Sequence, residues 1–269
     1  MKRTAVWNSI WNWFWLVLGI LYFMLPLLST LIFSLQKRRN EISLAAYQSA
    51  FADPEFLHTF SFSLELAVLT IIFAILLIVP TAFWVHLYLP RLRPVMELLT
   101  LLPFVIPAII LVFGIIGIYS RPPLLLTVNK ATTTGLLVAG YIVLSLPYLY
   151  RSVDLGLRAM DVRNLTEAAQ SLGASWPRIL FRIILPNLRT ALLSGALLTL
   201  AIVVGEVTLA TFLGLPAFGP YLFLVGQHLA YEPAALSLVS FGLTWAAMGI
   251  ISLLTSGVTG RQAQIGGGH

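Results

Sequence analysis

The chain has 269 residues, of which 59% are hydrophobic and only 10% are charged, with a net charge of +6. A soluble domain carries about 25% charged residues, so this composition excludes an ordinary soluble enzyme and indicates one helical membrane domain. The absence of cysteine excludes disulfides and cysteine-based metal or redox sites. Loops held at an anionic membrane surface explain the positive charge better than nucleic-acid binding does.

Hydropathy predicts six membrane spans within a single domain that covers residues 1–269. The first span follows a short basic start and a tryptophan cluster typical of a membrane–water interface, and it lacks a signal-peptide cleavage site. Ser43–Phe51 is predicted as a short surface helix, Glu65 as an interfacial residue of the second span, and the glycine-rich tail Gly257–His269 as disordered. The spans are expected at about residues 10–35, 60–87, 95–119, 134–150, 190–213 and 234–255.

Two spans contain residues that interrupt an apolar helix. Pro103 and Pro107 each remove a backbone donor from the third span, which predicts a kink or break. This break is either a packing feature or a hinge near a translocation path. Glu206 lies beyond the middle of the fifth span, two residues before Thr208, and a carboxylate there marks a substrate route or an ion pair. These four residues form the candidate translocation pathway, whose anionic group would suit a cationic solute.

The longest polar interruption of the chain is the stretch 161–189. Its first part places four apolar residues at i, i+3, i+4 and i+7, which predicts a short amphipathic helix. Gly173 follows the last of them, where a helix ends in a left-handed residue without steric cost from Cβ. The four apolar residues are Leu165, Ala168, Ala169 and Leu172.

A second short helix is predicted directly after Gly173. Ser175 is a suitable N-cap, and Pro177 falls in the first turn, where its missing N–H costs little. Leu185-Pro186 is expected to end this helix, because the residue before a proline avoids the α region. The periodicity alone is equally compatible with an amphipathic linker that lies on the lipid surface.

The spacing of residues in this stretch distinguishes between these two interpretations. Glu167-Ala168-Ala169, three residues, Gly173, nine residues, then Ile183, Leu185 and Pro186 match the EAA loop of ABC-importer permeases at all seven fixed positions. The chain therefore resembles, over nearly its whole length, the membrane subunit of a type I, MetI-like ABC importer. The resemblance implies an all-α fold of six transmembrane helices, with cytoplasmic coupling helices that dock on a separate ATPase. The residues implied in coupling are those fixed positions together with Leu165 and Leu172.

The resemblance also implies a set of partners. These are an ATPase dimer that holds ATP and Mg, a second permease subunit, identical or related, and an extracytoplasmic substrate-binding protein. The sequence is most similar to the polyamine, ferric-iron and phosphonate branches, in which an acidic residue recurs near the position of Glu206. The expected function is uptake of a small solute, with a polyamine or another cationic solute favoured.

Eleven of the 16 Lys and Arg residues lie on the side of the EAA-like loop, which predicts that this loop and both termini face the bacterial cytoplasm. Lys37-Arg38-Arg39 lies on the opposite side, against this tendency. No phosphate-binding loop, G-x-S-x-G or H-E-x-x-H motif occurs, so no catalytic, metal or cofactor site is predicted. The alternatives are an ATP-independent secondary transporter or channel and a membrane-embedded enzyme.

Overall fold

The computed structural model describes residues 2–38 and 41–256, so Met1, Arg39, Asn40 and the tail 257–269 lie outside the described residues. A short hairpin pairs β1 (Gln36–Arg38) with β2 (Glu41–Ile42), and Pro90–Leu92 forms a 3₁₀ turn. The helices are α1 (Lys2–Ser34), α2 (Ala45–Ala52), α3 (Pro54–Tyr88), α4 (Arg93–Val105), α5 (Ala108–Tyr119), α6 (Lys130–Arg158), α7 (Val162–Ser171), α8 (Trp176–Ile179), α9 (Leu185–Asn187), α10 (Arg189–Gly205), α11 (Thr208–Phe212), α12 (Phe218–His228) and α13 (Glu232–Ser256).

Among the described residues, four stretches of helix are long and apolar enough to cross a membrane: Trp11–Ser34, Pro54–Tyr88, Lys130–Arg158 and Glu232–Ile250. Two bent helix pairs bring the number to six if each is counted as one broken span. The pair Pro90–Val105 and Ala108–Tyr119 bends by 99°, and the pair Trp176–Asn187 and Arg189–Gly205 bends by 75°. The predicted all-α membrane fold is confirmed.

The bend between α4 and α5 lies at the second of the two prolines. Pro103 is inside α4, whereas Pro107 is the N-cap of α5. Ile106 between them is extended, with φ −93° and ψ 113°, as expected for a residue before proline. The predicted interruption of the third span is therefore a break rather than a gentle kink.

Residues up to Phe56 and Leu222–Gly242 form one compact unit. The predicted surface helix is present as α2, and it is fixed to the end of α1 by a 2.7 Å hydrogen bond between the hydroxyls of Ser34 and Tyr47. The rings of Phe33 and Tyr231 lie 4.9 Å apart.

The second unit comprises residues 57–221 and 243 onwards, and its buried side chains form two clusters. One cluster joins α3, α6 and the stretch from α7 to α10; it includes Phe83, Leu149, Val153, Ile179 and Ile184. The other joins α3, α5, α6, α10 and α11; it includes Leu66, Leu137, Tyr141, Leu200 and Leu209.

Two predicted boundaries differ from the structure. The second polar helix does not end at Leu185-Pro186, because a π-helical turn at Leu180–Ile184 precedes the proline and places it in the first turn of α9. There its missing N–H has no intrahelical partner to lose, so the chain continues towards α10. The predicted outer loop Gly214–Pro233 contains the helix α12, which its high Gly and Pro content concealed.

Candidate coupling site

Both ends of the first polar helix, α7, are fixed by hydrogen bonds. The Asp161 carboxylate accepts the backbone N–H of Asn164 at 3.2 Å and so caps the N-terminus. At the other end, Gly173 has φ +75°. Its N–H donates to the Gln170 carbonyl at 2.8 Å, and that of Ala174 donates to Ala169 at 3.0 Å. This pair of bonds is a Schellman motif, and it confirms the predicted left-handed turn at Gly173.

The apolar stripe of α7 is divided between two faces. Val162, Thr166 and Ala169 are buried against the rest of the chain. By contrast, Leu165 and Leu172 are 38% and 89% exposed, and Ala168 between them is also exposed. Of the four residues in the predicted stripe, Ala169 is thus packed against the chain itself, and the other three are left uncovered by it. A helix with apolar residues on its outer face has a surface suited to a partner.

Glu167 lies on the exposed side of α7. Its carboxylate accepts a hydrogen bond from Arg163 Nε at 2.8 Å, one helical turn earlier. This carboxylate raises the pKa of Arg163 above its usual range. Both side chains are more than half exposed, so the pair contributes little to stability. The carboxylate therefore remains accessible from solvent.

The second polar helix is anchored by an aromatic cluster. Trp176 opens α8, with Ser175 as the predicted N-cap residue and Pro177 in the first turn. The Trp176 ring lies 5.2 Å from Trp84 and 5.7 Å from Tyr88, both near the end of α3. These tilted and edge-to-face ring contacts fix the start of α8 to the end of α3.

We expect Trp176→Ala to lower the free energy of unfolding by about 2 kcal/mol, because it removes ring contacts from a half-buried site. Amide hydrogen exchange in residues 162–187 should also accelerate. Trp176→Phe should keep most of the contact, and Phe181→Ala, on the same segment but 53% exposed, is the matched control. Equal losses in the two alanine variants would contradict the anchoring role.

The last part of the EAA-like pattern is an attachment point. Ile183 and Leu185 are partly buried against the cluster that contains the fully buried Ile184, whereas Pro186 is exposed. The pattern residues thus have two placements. We call residues 162–187, from α7 to α9, the elbow. Ala169, Ile183 and Leu185 hold this elbow to the spans, whereas Glu167, Ala168 and Pro186 face outwards.

A group of ion pairs lies beside this elbow and was not predicted from the sequence. The buried carboxylate of Asp154 lies 2.8 Å from Arg158 on the next turn of α6 and 3.7 Å from Arg93 on α4. Arg158 also contacts Glu97 of α4 at 2.8 Å, and Arg93 contacts His86 Nδ1 of α3 at 2.6 Å. The i, i+4 spacing of Asp154 and Arg158 was the available signal. These pairs tie the ends of three helices together.

The candidate pathway residues lie at the breaks of two spans. Glu206 follows the end of α10, and its carboxylate accepts the N–H groups of Thr208 at 2.7 Å and Leu209 at 2.9 Å. From the position before the N-cap residue Val207, this carboxylate thus caps the first N–H groups of α11, which balance part of its charge. Phe113 of α5 and Phe212 of α11 lie 5.0 Å apart, so the segment after Pro107 packs on the segment that Glu206 caps.

No group of three or more His, Asp or Glu side chains that could hold a metal is found among the residues that the structure describes. Comparisons with known proteins agree with the fold. The profile of the family described as "Binding-protein-dependent transport system inner membrane component" matches residues 90–262. The chain belongs to this family. As an inner membrane component, it is a membrane-embedded part of a transport system and not an enzyme in its own right.

Relatives of this inner membrane component are transport permeases. The spermidine/putrescine transport system permease protein PotB of Haemophilus influenzae is 29% identical over 186 residues, which cover 63% of this chain and 62% of PotB. PhnV of Salmonella typhi, named for 2-aminoethylphosphonate transport, is 31% identical over 199 residues, covering 71% and 72% of the two chains. A bacterial alginate ABC transporter, solved in complex with an alginate-pentasaccharide-bound periplasmic protein, aligns with TM-score 0.70 over 96% of each chain at 15% identity. This last likeness shows the fold.

Proposed function

We propose that this inner membrane component forms one half of the translocation pathway of an ATP-driven importer and couples to a separate ATPase through the elbow of α7 and α8. The observation that carries the proposal is the Schellman turn at Gly173, which presents an apolar stripe and an accessible Glu167 outwards. A helix that is packed on one face and apolar on the other fits a groove on a partner. ATP and Mg would belong to that partner.

The remaining partners complete this proposed assembly. An extracytoplasmic binding protein delivers the solute, as the family's description and the alginate transporter's periplasmic partner support. A second permease, either an identical copy or a related chain, supplies the other half of the pathway. The excess of Lys and Arg on the side of the elbow supports a cytoplasmic elbow and cytoplasmic termini, in the inner membrane.

For the solute, we propose a small compound that carries an amino group, with polyamines included. PotB is named for spermidine and putrescine, and PhnV for an aminoalkylphosphonate, so both names contain an amine. Glu206 supports a cationic group only in part, because its carboxylate already accepts two backbone N–H groups. An ATP-independent transporter would need no docking surface on the elbow, and ATPase capture distinguishes the two.

The test is a charge swap on α7. We expect Glu167→Lys to reduce co-purification of the ATPase at least about tenfold in mild detergent, because a charged contact contributes about 1.5–3 kcal/mol. Arg163→Glu combined with Glu167→Lys restores an ion pair within α7 but not the charge that faces the partner. Capture should therefore stay low in the double variant. If the double variant regains capture, Glu167 serves only its own helix and the docking assignment is wrong.

A further inference from the structure

An open cavity of about 520 Å³ lies between α4, α6 and α10, on the side of the ion pairs. Phe104 and Tyr148 form an aromatic wall, with ring centroids 5.5 Å apart. Hydroxyl-bearing side chains of Thr100, Tyr150 and Ser152 also belong to its lining. We call this space the Arg151 cavity, because Arg151 is the cationic side chain in its lining. It is an amphipathic site with several hydrogen-bond donors.

The charges around the Arg151 cavity do not cancel. Glu97, its acidic lining residue, is paired with Arg158 at 2.8 Å. Asp154 is paired with Arg158 and with Arg93. Within the described part of the chain, Arg151 is exposed and forms no ion pair. Two acidic groups therefore balance two arginines, and the charge of Arg151 remains available.

We propose that the Arg151 cavity binds a small oxyanion group, a phosphonate or a phosphate, through the guanidinium of Arg151. A guanidinium presents paired N–H donors that match such oxygens, and the apolar wall strengthens the attraction by lowering the local dielectric. The hydroxyl groups of Tyr150 and Ser152 can donate to further oxygens of the same ligand, whereas that of Thr100 already donates to the Glu97 carbonyl at 2.9 Å. A purely cationic solute would be repelled here. The inference rests on the proposed transport role for its solute, which then carries both an amine and an oxyanion.

Because the chain has no cysteine, a single Ser152→Cys substitution places a unique thiol in the lining of the cavity. The purified variant is reconstituted in phosphatidylcholine nanodiscs, and its rate of maleimide modification is measured at constant ionic strength. We expect 2-aminoethylphosphonate or inorganic phosphate to slow the modification at least about tenfold, and spermidine to leave it unchanged. Arg151→Gln in this background should abolish the protection and Arg151→Lys should keep part of it. Arg178→Gln, on α8 outside the cavity, should not alter it.

A second arm separates a solute from a lipid headgroup. Protection that arises only in phosphatidylglycerol nanodiscs, and that is lost in the Arg151→Gln variant, supports the same oxyanion site with a lipid phosphate as its ligand. Protection by spermidine alone, protection that survives Arg151→Gln, or no protection by any anion would each overturn the inference. ATPase capture provides an independent measurement. A chain that captures the ATPase but shows no protection contradicts this inference and not the proposed function.

Discussion

A Gly173→Val variant should lose ATPase capture at least about tenfold while its amount in the membrane stays unchanged. Gly173 has φ +75°, a conformation that costs an ordinary L-residue roughly 1–2 kcal/mol and a β-branched residue more. Relief of that strain would break the bonds from Gly173 and Ala174 to the end of α7. The two coupling helices would then change their relative angle. Co-purification of the ATPase, normalised to the permease in the membrane fraction, measures the effect.

Two controls separate backbone strain from side-chain volume at this turn. Gly173→Asn should retain most of the capture, because asparagine tolerates the left-handed region. Gly117→Val adds the same side chain within α5, at a glycine with open space around it and no positive φ. If Gly173→Asn fails as completely as Gly173→Val, a volume constraint and not the turn explains the loss.

The largest loss of stability is expected from Gly219→Ala. A Cβ at this position would overlap the carbonyl oxygen of Glu206 and lie 2.8 Å from its carbonyl carbon, and both are backbone atoms. The start of α12 would have to move away from the break between α10 and α11. We expect the free energy of unfolding to fall by about 3 kcal/mol, at the upper end for overpacking. Thermal unfolding of the purified chain in detergent measures this.

Gly205→Ala is the matched control for this stability prediction. Gly205 ends α10 beside Glu206, and a Cβ there would meet nothing within 4 Å. Its unfolding temperature should stay close to that of the unchanged chain. A similar decrease in both variants would mean that the break tolerates no added methyl group anywhere, and the close approach of α12 would not be the cause.

The elbow shows how far the sequence could be interpreted. Gly173 and Pro177 were placed correctly, because local backbone chemistry determines turns and helix starts. Ser175 holds the predicted N-cap position, but its side chain forms no capping hydrogen bond. The direction of α7 was not predictable. Periodicity identifies an apolar stripe, but it does not say whether the chain itself or another protein covers it. Leu165 and Leu172 are exposed, and Thr166, a polar residue, took a buried position instead.

Proline gave opposite results at two places, because the backbone before it differs. At Pro107 the preceding residue became extended and the span broke, as predicted. At Pro186 the preceding π turn at Leu180–Ile184 supplied a bond from the Leu185 N–H to the Leu180 carbonyl, and helical structure continued. Such a turn depends on the packing of Ile184 and its neighbours, which are separated along the chain. A sequence pattern that is read locally does not contain this information.

The capping role of Glu206 was also hidden, because it depends on a break after Gly205 that hydropathy did not show. The sequence located a carboxylate in an apolar span. The structure adds that its two oxygens meet the N–H groups of Thr208 and Leu209. Whether this residue also touches a solute stays a prediction, and so does the pathway role of Thr208, Pro103 and Pro107.

The first helix, α1, is much less buried within the chain than α6. In the most apolar 18 residues of Trp11–Ser34, no residue is buried. In the corresponding 18 residues of Lys130–Arg158, 56% of the residues are buried. Among the described side chains of α1, Phe33 contacts Tyr231, whereas most of the aliphatic and aromatic side chains before it are exposed. Exchange among leucine, isoleucine and phenylalanine should be nearly neutral between Trp11 and Ile32, provided that total hydrophobicity and length persist. Evolutionary drift in α1 is thus constrained by solubility in lipid, whereas drift in α6 is constrained by fit.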